Sequence, residues 1–181
     1  MREEIMAYLQ GALGDATYNK LHKTWRFSQS NRRWLVRLQN LLKQIGYRSW
    51  LYREGKRRRL YVLETTAKFL SIRNRPIDLW RQSEKIAFVR GFFDAEGGVP
   101  RDLKVRYYLQ FSQKNHRELS LVRKMLEDVG IKRGRIHNPS KNVDPEYWRF
   151  FVRAQSYKDF THLIGSWHPR KQKLLLNRMK I

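Results

Sequence analysis

The tripeptide Phe-Ser-Gln occurs at residues 27–29 and again at 111–113, and around each copy the chain repeats one order of sequence patterns. Each copy closes an alternating, strand-like run, 24–29 and 108–113. Ahead of each lies a helical spacing with a stripe of small residues: Ala7, Gly11 and Gly14 within 3–15, and Ala87, Gly91 and Ala95 within 86–96. Behind each comes a basic amphipathic helix closed by glycine, 30–46 and 114–130. Two strand-like runs follow in each half, 47–53 with 58–65 and 131–137 with 147–153, then a short helix at 66–73 and at 156–166. A repeat of element order constrains architecture more than any single motif does. It predicts an α+β fold of two pseudo-symmetric αββαββα units, residues 1–77 and 78–181, with two antiparallel sheets beside two packed central helices.

The small-residue stripes say how those helices meet. Glycine in a helix interior costs about 1 kcal/mol relative to alanine, so Gly11 and Gly91 imply a close backbone approach that returns the cost. Each helix also ends in an acid, Asp15 and Glu96, where the helix dipole disfavours a negative charge. An acid in that position needs a cation, and packing the helices together brings the two acids together. Duplication for stability alone would not require an acid at the end of each helix.

Composition identifies the partner. Of 181 residues, 39 are Lys or Arg and 16 Asp or Glu, a formal net charge of +23 that calls for a polyanion, most simply nucleic acid. The charge is shared by both halves and is not confined to a tail. With 41% hydrophobic and 13% aromatic residues the chain has ample material for a core. No apolar run reaches the length of a membrane span, and the absence of cysteine excludes disulfides and thiolate metal sites. An intracellular protein is expected, cytoplasmic if prokaryotic.

Residues 89–97, VRGFFDAEG, resemble the nine-residue motif of the LAGLIDADG homing endonucleases, with Gly91, Asp94, Ala95, Glu96 and Gly97 in the expected places. The resemblance runs through both repeats and is to the single-chain, two-motif members, including those encoded by archaeal introns. It implies a monomer whose two sheets form a saddle over double-stranded DNA and make a site-specific double-strand cut with short 3′ overhangs. It also implies that Asp15 and Glu96 hold divalent ions, Mg²⁺ in the first place, with Mn²⁺ or Ca²⁺ able to occupy the site. Gln29, Gln113, Lys114 and Lys171 match the polar and basic residues that the family carries around its metals. The chemistry agrees, because a hard cation with oxygen ligands makes water nucleophilic and stabilises the leaving oxygen of a phosphodiester. The first copy is one residue shorter from glycine to acid. Counting forward from Gly11 places Ala16 opposite Glu96, whereas counting back from the acids places Gly14 opposite Ala95 and Gln10 opposite Gly91. The second register is preferred, because alanine binds no metal. An RNA-binding maturase acting on its intron RNA, and a non-catalytic basic nucleic-acid-binding protein, are the alternatives.

Alternation names the side chains available to DNA. Thr24, Arg26 and Ser28 share the open face of the first repeat; Lys104, Arg106, Tyr108 and Gln110, with Tyr147, Arg149 and Arg153, share that of the second. Arg57, Arg58 and Arg59 fall in a turn suited to phosphate. If at least six phosphates are neutralised, affinity for DNA is expected to fall by about 10³ or more between roughly 50 and 200 mM salt. A titration in which affinity barely responds to salt would assign the charge to another partner.

Overall fold

The computed structural model describes residues 1–55, 59–71, 80–102 and 104–179. At its centre helix α1, Arg2–Gly11, crosses helix α3, Gln82–Glu96. A Cβ placed on Gly11 would lie 2.1 Å from the Phe88 carbonyl oxygen, and one on Gly91 would lie 2.0 Å from that of Tyr8. Both glycines are therefore required by backbone contact, and each meets the residues that flank the other.

This reciprocity corrects the expected register. Gly11 meets Phe88 and Phe92, and Gly91 meets Tyr8 and Ala12, so the two glycines oppose each other and Gln10 does not oppose Gly91. Gln10 turns aside, and its Nε2 donates 2.8 Å to the Phe69 carbonyl. Yet Asp15 still ends its helix where Glu96 ends α3, because Ala12–Asp15 is a 3₁₀ turn while α3 stays α-helical to Glu96. From Gly11 to Asp15, four 3₁₀ steps advance about 8 Å and turn about 480°; from Gly91 to Glu96, five α steps advance about 7.5 Å and turn about 500°. The tighter turn absorbs the missing residue. Gly14 then lies against the other acid: a Cβ there would sit 2.3 Å from Glu96 Oε1.

Each central helix leads into a sheet. In the first half β1 (Ala16–Asn19), β2 (Thr24–Gln29), β3 (Ser49–Glu54) and β4 (Leu60–Thr65) form an antiparallel sheet in the order β1-β2-β4-β3. Its registered row of Ala16, Phe27, Leu63 and Leu51 faces the core. In the second half β5 (Gly97–Gly98), β6 (Gln110–Gln113) and β7 (Trp148–Phe151) pair in that order. The strand expected at 131–137 contributes two isolated bridges, Arg133 to Val152 and His137 to Arg149. Behind the sheets lie α2 (Arg32–Gln44) and α4 (His116–Asp128), which begin alike. Asn31 accepts from the Arg33 and Trp34 amides and Asn115 from those of Arg117 and Glu118. Both end at glycines with left-handed φ, Gly46 at 85° and Gly130 at 80°. The αββαββα order holds in the first half, where the last helix is a 3₁₀ turn at Lys68–Ser71; in the second half the two bridges stand in place of the strand after α4, and the last helix is α5, Tyr157–Leu163. Buried residues of both halves form one apolar cluster, with Phe111 stacked on Phe150 at 5.0 Å. The expected boundary at 77/78 lies outside the described residues.

Three elements go beyond the sequence reading. β1 and β5 are short continuations of the central helices, and α6, Pro169–Met179, follows the expected last helix. Its signal was present, since proline is favoured at the first position of a helix. Among the described residues no helix is long and apolar enough to cross a membrane. Gly91→Ala is expected to lower stability by about 3 kcal/mol, because the new methyl has only backbone to displace. Urea unfolding would show the drop as a lower midpoint at constant slope; a midpoint unchanged from the parent would mean the helices cross elsewhere.

Candidate active site

Asp15 closes the 3₁₀ turn and Glu96 closes α3, so both carboxylates sit at carbonyl ends of helices. The repeated Phe-Ser-Gln supplies each with the same partner. Gln29, the last residue of β2, donates from Nε2 to Asp15 Oδ2 at 2.8 Å, and Gln113, the last of β6, lies near enough to Glu96 to favour its charged form. Burial, with the nearby Glu96 charge adding to it, pushes the Asp15 carboxyl up to about 6 against the opposing pull of Lys171 and Gln29. Burial also raises Glu96, against Gln113 and Lys171.

Lys171, in the first turn of α6, completes the cluster. Its Nζ donates to the carbonyls of Phe93 at 2.7 Å and Asp94 at 2.8 Å, capping a helix whose own last turn holds no base. Burial pushes its ammonium down to about 8, although Asp94, Asp15 and Glu96 all favour the charge. Lys114 is exposed and its backbone amide donates 2.7 Å to Gln113 Oε1.

The donor set suits a hard divalent cation. Among the described residues no three His, Cys, Asp or Glu side chains group as metal ligands; Asp15 lines a groove, and Glu96 lies close enough for its charge to act on Asp15. Mg²⁺ is bound in this way, by one or two carboxylates, with waters and substrate phosphate completing the octahedron. Both acids are raised by burial, and Asp15 also by the Glu96 charge, so both gain from such an ion.

A groove of about 1060 Å³ opens over Asp15 and Gln29, and Arg32, Arg33, Arg59, Arg101 and Arg170 stand along it. Of these only Arg59 was expected from sequence. Arg32 and Arg33 occupy the first turn of α2, where a basic pair beside the Gln29 strand end was the available signal. Arg57 and Arg58 lie outside the described residues.

The outer sheet faces depart in part from the alternation. Arg26 does face out, but Glu54 at 2.7 Å and Glu64 at 2.8 Å neutralise it, and Tyr52 Oη lies 3.3 Å away. Thr24 is buried and Ser28 half-buried. Trp50 and Tyr52 are the exposed side chains of β3 on this face. Lys104 and Arg106 are not on a strand: Asp102 accepts from the Lys104 amide at 2.8 Å and turns the chain, while Arg178 binds the Val105 carbonyl at 3.1 Å. On the second sheet Gln110 donates to Tyr147 Oη at 3.1 Å, Arg149 lies 5.2 Å from the Phe151 ring centre, Tyr108 meets that ring edge-on, and Arg153 is exposed.

Comparison with known proteins identifies residues 83–165 as a match to the LAGLIDADG-like domain. Homing endonuclease I-ApeI of Aeropyrum pernix is 36% identical over 92 residues, covering 50% of this chain and 39% of that protein, so the chain spans less than half of its curated relative. The crystal structure of I-DmoI in complex with DNA and Mn shares the fold with a TM-score of 0.66 at 23% identity, over 91% of this chain and 98% of that one. I-DmoI with DNA and Ca gives 0.69 at 22% identity, over 97% and 98%. Full-length DUF199/WhiA from Thermatoga maritima gives 0.71 at 19% identity, over 100% of this chain and 62% of that one.

The raised Asp15 carboxyl has a consequence for stability. The folded chain keeps this proton up to about pH 6 whereas an unfolded aspartate loses it near 3.8, so the folded state binds more protons in that window and stability falls as pH rises through it. Without divalent ions, Asp15→Asn is expected to be more stable than the parent at pH 7 by on the order of 2 kcal/mol and no different near pH 3. Paired unfolding curves in chelator across that range test this, and a constant difference at all pH values would contradict it.

Proposed function

We infer that this chain, which carries a LAGLIDADG-like domain over residues 83–165 in a fold shared with the homing endonuclease I-DmoI, is a site-specific, divalent-metal-dependent DNA endonuclease. The observation that carries this reading is the pair Asp15 and Glu96, one from each half, each with the glutamine of its own Phe-Ser-Gln strand beside it. A bound divalent ion would activate water and stabilise the oxygen leaving the phosphorus. Asp15 and Glu96 would hold the ions, Mg²⁺ by preference, while Gln29 and Gln113 keep each carboxylate turned toward the groove. The Lys171 ammonium lies within electrostatic reach of both acids and suits the charge that develops on a phosphate being cleaved. Arg32, Arg33, Arg59, Arg101 and Arg170 suit the neighbouring phosphates. Because each half brings its own acid, the chain acts as a monomer on both strands; the resemblance to the homing endonucleases implies short 3′ overhangs, and the absence of cysteine suits a setting inside the cell.

The exposed Trp50 and Tyr52 also suit stacking on unpaired bases, which favours intron RNA as a second ligand. One set of variants separates the two. Asp15→Asn and Glu96→Gln are each expected to abolish double-strand cleavage of a target selected from a random DNA library, with binding retained in Ca²⁺ and tightened without metal, where each variant removes one of the two charges that repel phosphate. Cleavage by Asp15→Asn at the parent rate would remove Asp15 from the site. A parent chain that binds intron RNA and restores splicing, yet cuts no DNA, would establish the maturase reading.

A further inference from the structure

Asp94 lies two residues from Glu96 and is 1% exposed, yet its carboxylate is spoken for by protein groups alone. Oδ2 accepts from Tyr8 Oη at 2.6 Å and from the backbone amides of Trp167 at 2.8 Å and His168 at 3.1 Å; Oδ1 accepts from Ser166 Oγ. Three of these four donors belong to the turn at 166–168 that enters α6. The same turn is gripped from both halves. The Trp167 ring packs 4.5 Å from that of Tyr8, with the Arg37 guanidinium of α2 at 4.7 Å and the Arg90 guanidinium of α3 at 4.8 Å, and the His168 ring lies 5.4 Å from Trp34. Trp34 Nε1 in turn donates 3.0 Å to Tyr8 Oη. Arg90 also donates 3.1 Å to the Leu163 carbonyl, just before the turn. Three residues beyond His168, Lys171 reaches back to the carbonyls of Phe93 and Asp94. The match to the LAGLIDADG-like domain stops at residue 165, one short of this segment.

We propose that residues 166–171 are a clasp belonging to the active site, and that Asp94 is the positioning residue that seats it, fixing Lys171 beside Asp15 and Glu96 only when both halves are docked. The geometry makes Asp94 irreplaceable in this role. Four donors converge on its carboxylate, and an amide offers one acceptor oxygen and two donors of its own, so Asp94→Asn sets donor against donor at the turn. Nothing in α6 itself tells Lys171 where the acids are; the turn does, and the turn is held from α1, α2 and α3. A lysine serving only as a helix cap would need none of this.

The catalytic part of the test rests on the endonuclease reading and the structural part does not. Amide hydrogen exchange of the peptide spanning 164–172 is measured in the full chain for Asp94→Asn and for the milder Ser166→Ala. Exchange is expected to quicken about tenfold or more in this peptide while α1 and the rest of α3 keep their protection. On the selected DNA target, Lys171→Met is expected to slow single-turnover cleavage on the order of 10²-fold. Asp94→Asn should slow it in the same way with affinity in Ca²⁺ unchanged to within about twofold, and the double variant should be no slower than Lys171→Met. Unaltered exchange in both turn variants, or losses from Asp94→Asn and Lys171→Met that multiply in the double variant, would overturn the proposal. If the parent cuts no DNA the endonuclease reading fails, and exchange still decides whether Asp94 holds the clasp.

Discussion

The close crossing of α1 and α3 is the contact on which the rest of the molecule depends. Each glycine lets the other helix's carbonyl come within a distance that no side chain would permit, and the two contacts repeat each other across the pseudo-two-fold. Once the axes are that close, the C-terminal ends of both helices must emerge on the same side, each carrying its acid and running straight into the first strand of its sheet. Position and charge thereby follow from packing. Two carboxylates at two carbonyl ends are electrostatically unfavourable, and burial there raises both Asp15 and Glu96. A site assembled this way is destabilised until cations arrive, as expected where a fold gives up stability for function.

Symmetry holds at the crossing and weakens away from it. Among the described residues one helix ends in a 3₁₀ turn and the other in α-helix, one sheet has four strands and the other three with two bridges, and the second half alone shows Asp94 and α6. Lys171 therefore acts electrostatically on both acids from one side. Capping of α2 and α4 by Asn31 and Asn115 remains alike, which keeps Gln29 and Gln113 in equivalent places while the basic surroundings differ. The two strands of a duplex would meet unequal environments over equivalent acids.

How much of this could be read in the chain depends on the range of the interaction. The helix glycines, the terminal acids, the Phe-Ser-Gln strands and the glycine stops are local signals that occur twice, and they led to the element order and to the acid and glutamine pairs. The register of the first helix was not legible, because a 3₁₀ turn is chosen by what it packs against, here Glu96 over Gly14. Arg26 kept its place on the outer face but not its charge, since Glu54 and Glu64 come from β3 and β4. Alternation ran on through Lys104 and Arg106 although the Asp102 turn and Arg178 had taken them off the sheet. Asp94 stood in the motif with no sign of its donors, which lie on α1 and in a turn near the C-terminus.

The central claim is that one packing contact places an acid from each half where the two would hold divalent ions for phosphodiester cleavage. A crystal structure of the chain on a selected target duplex in Ca²⁺ tests it most directly. The account predicts calcium held by carboxylate oxygens of Asp15 and of Glu96 and by phosphate oxygens of the DNA, with Gln29 and Gln113 still on their acids. Calcium bound elsewhere, with Asp15 or Glu96 turned away from every ion, would contradict it.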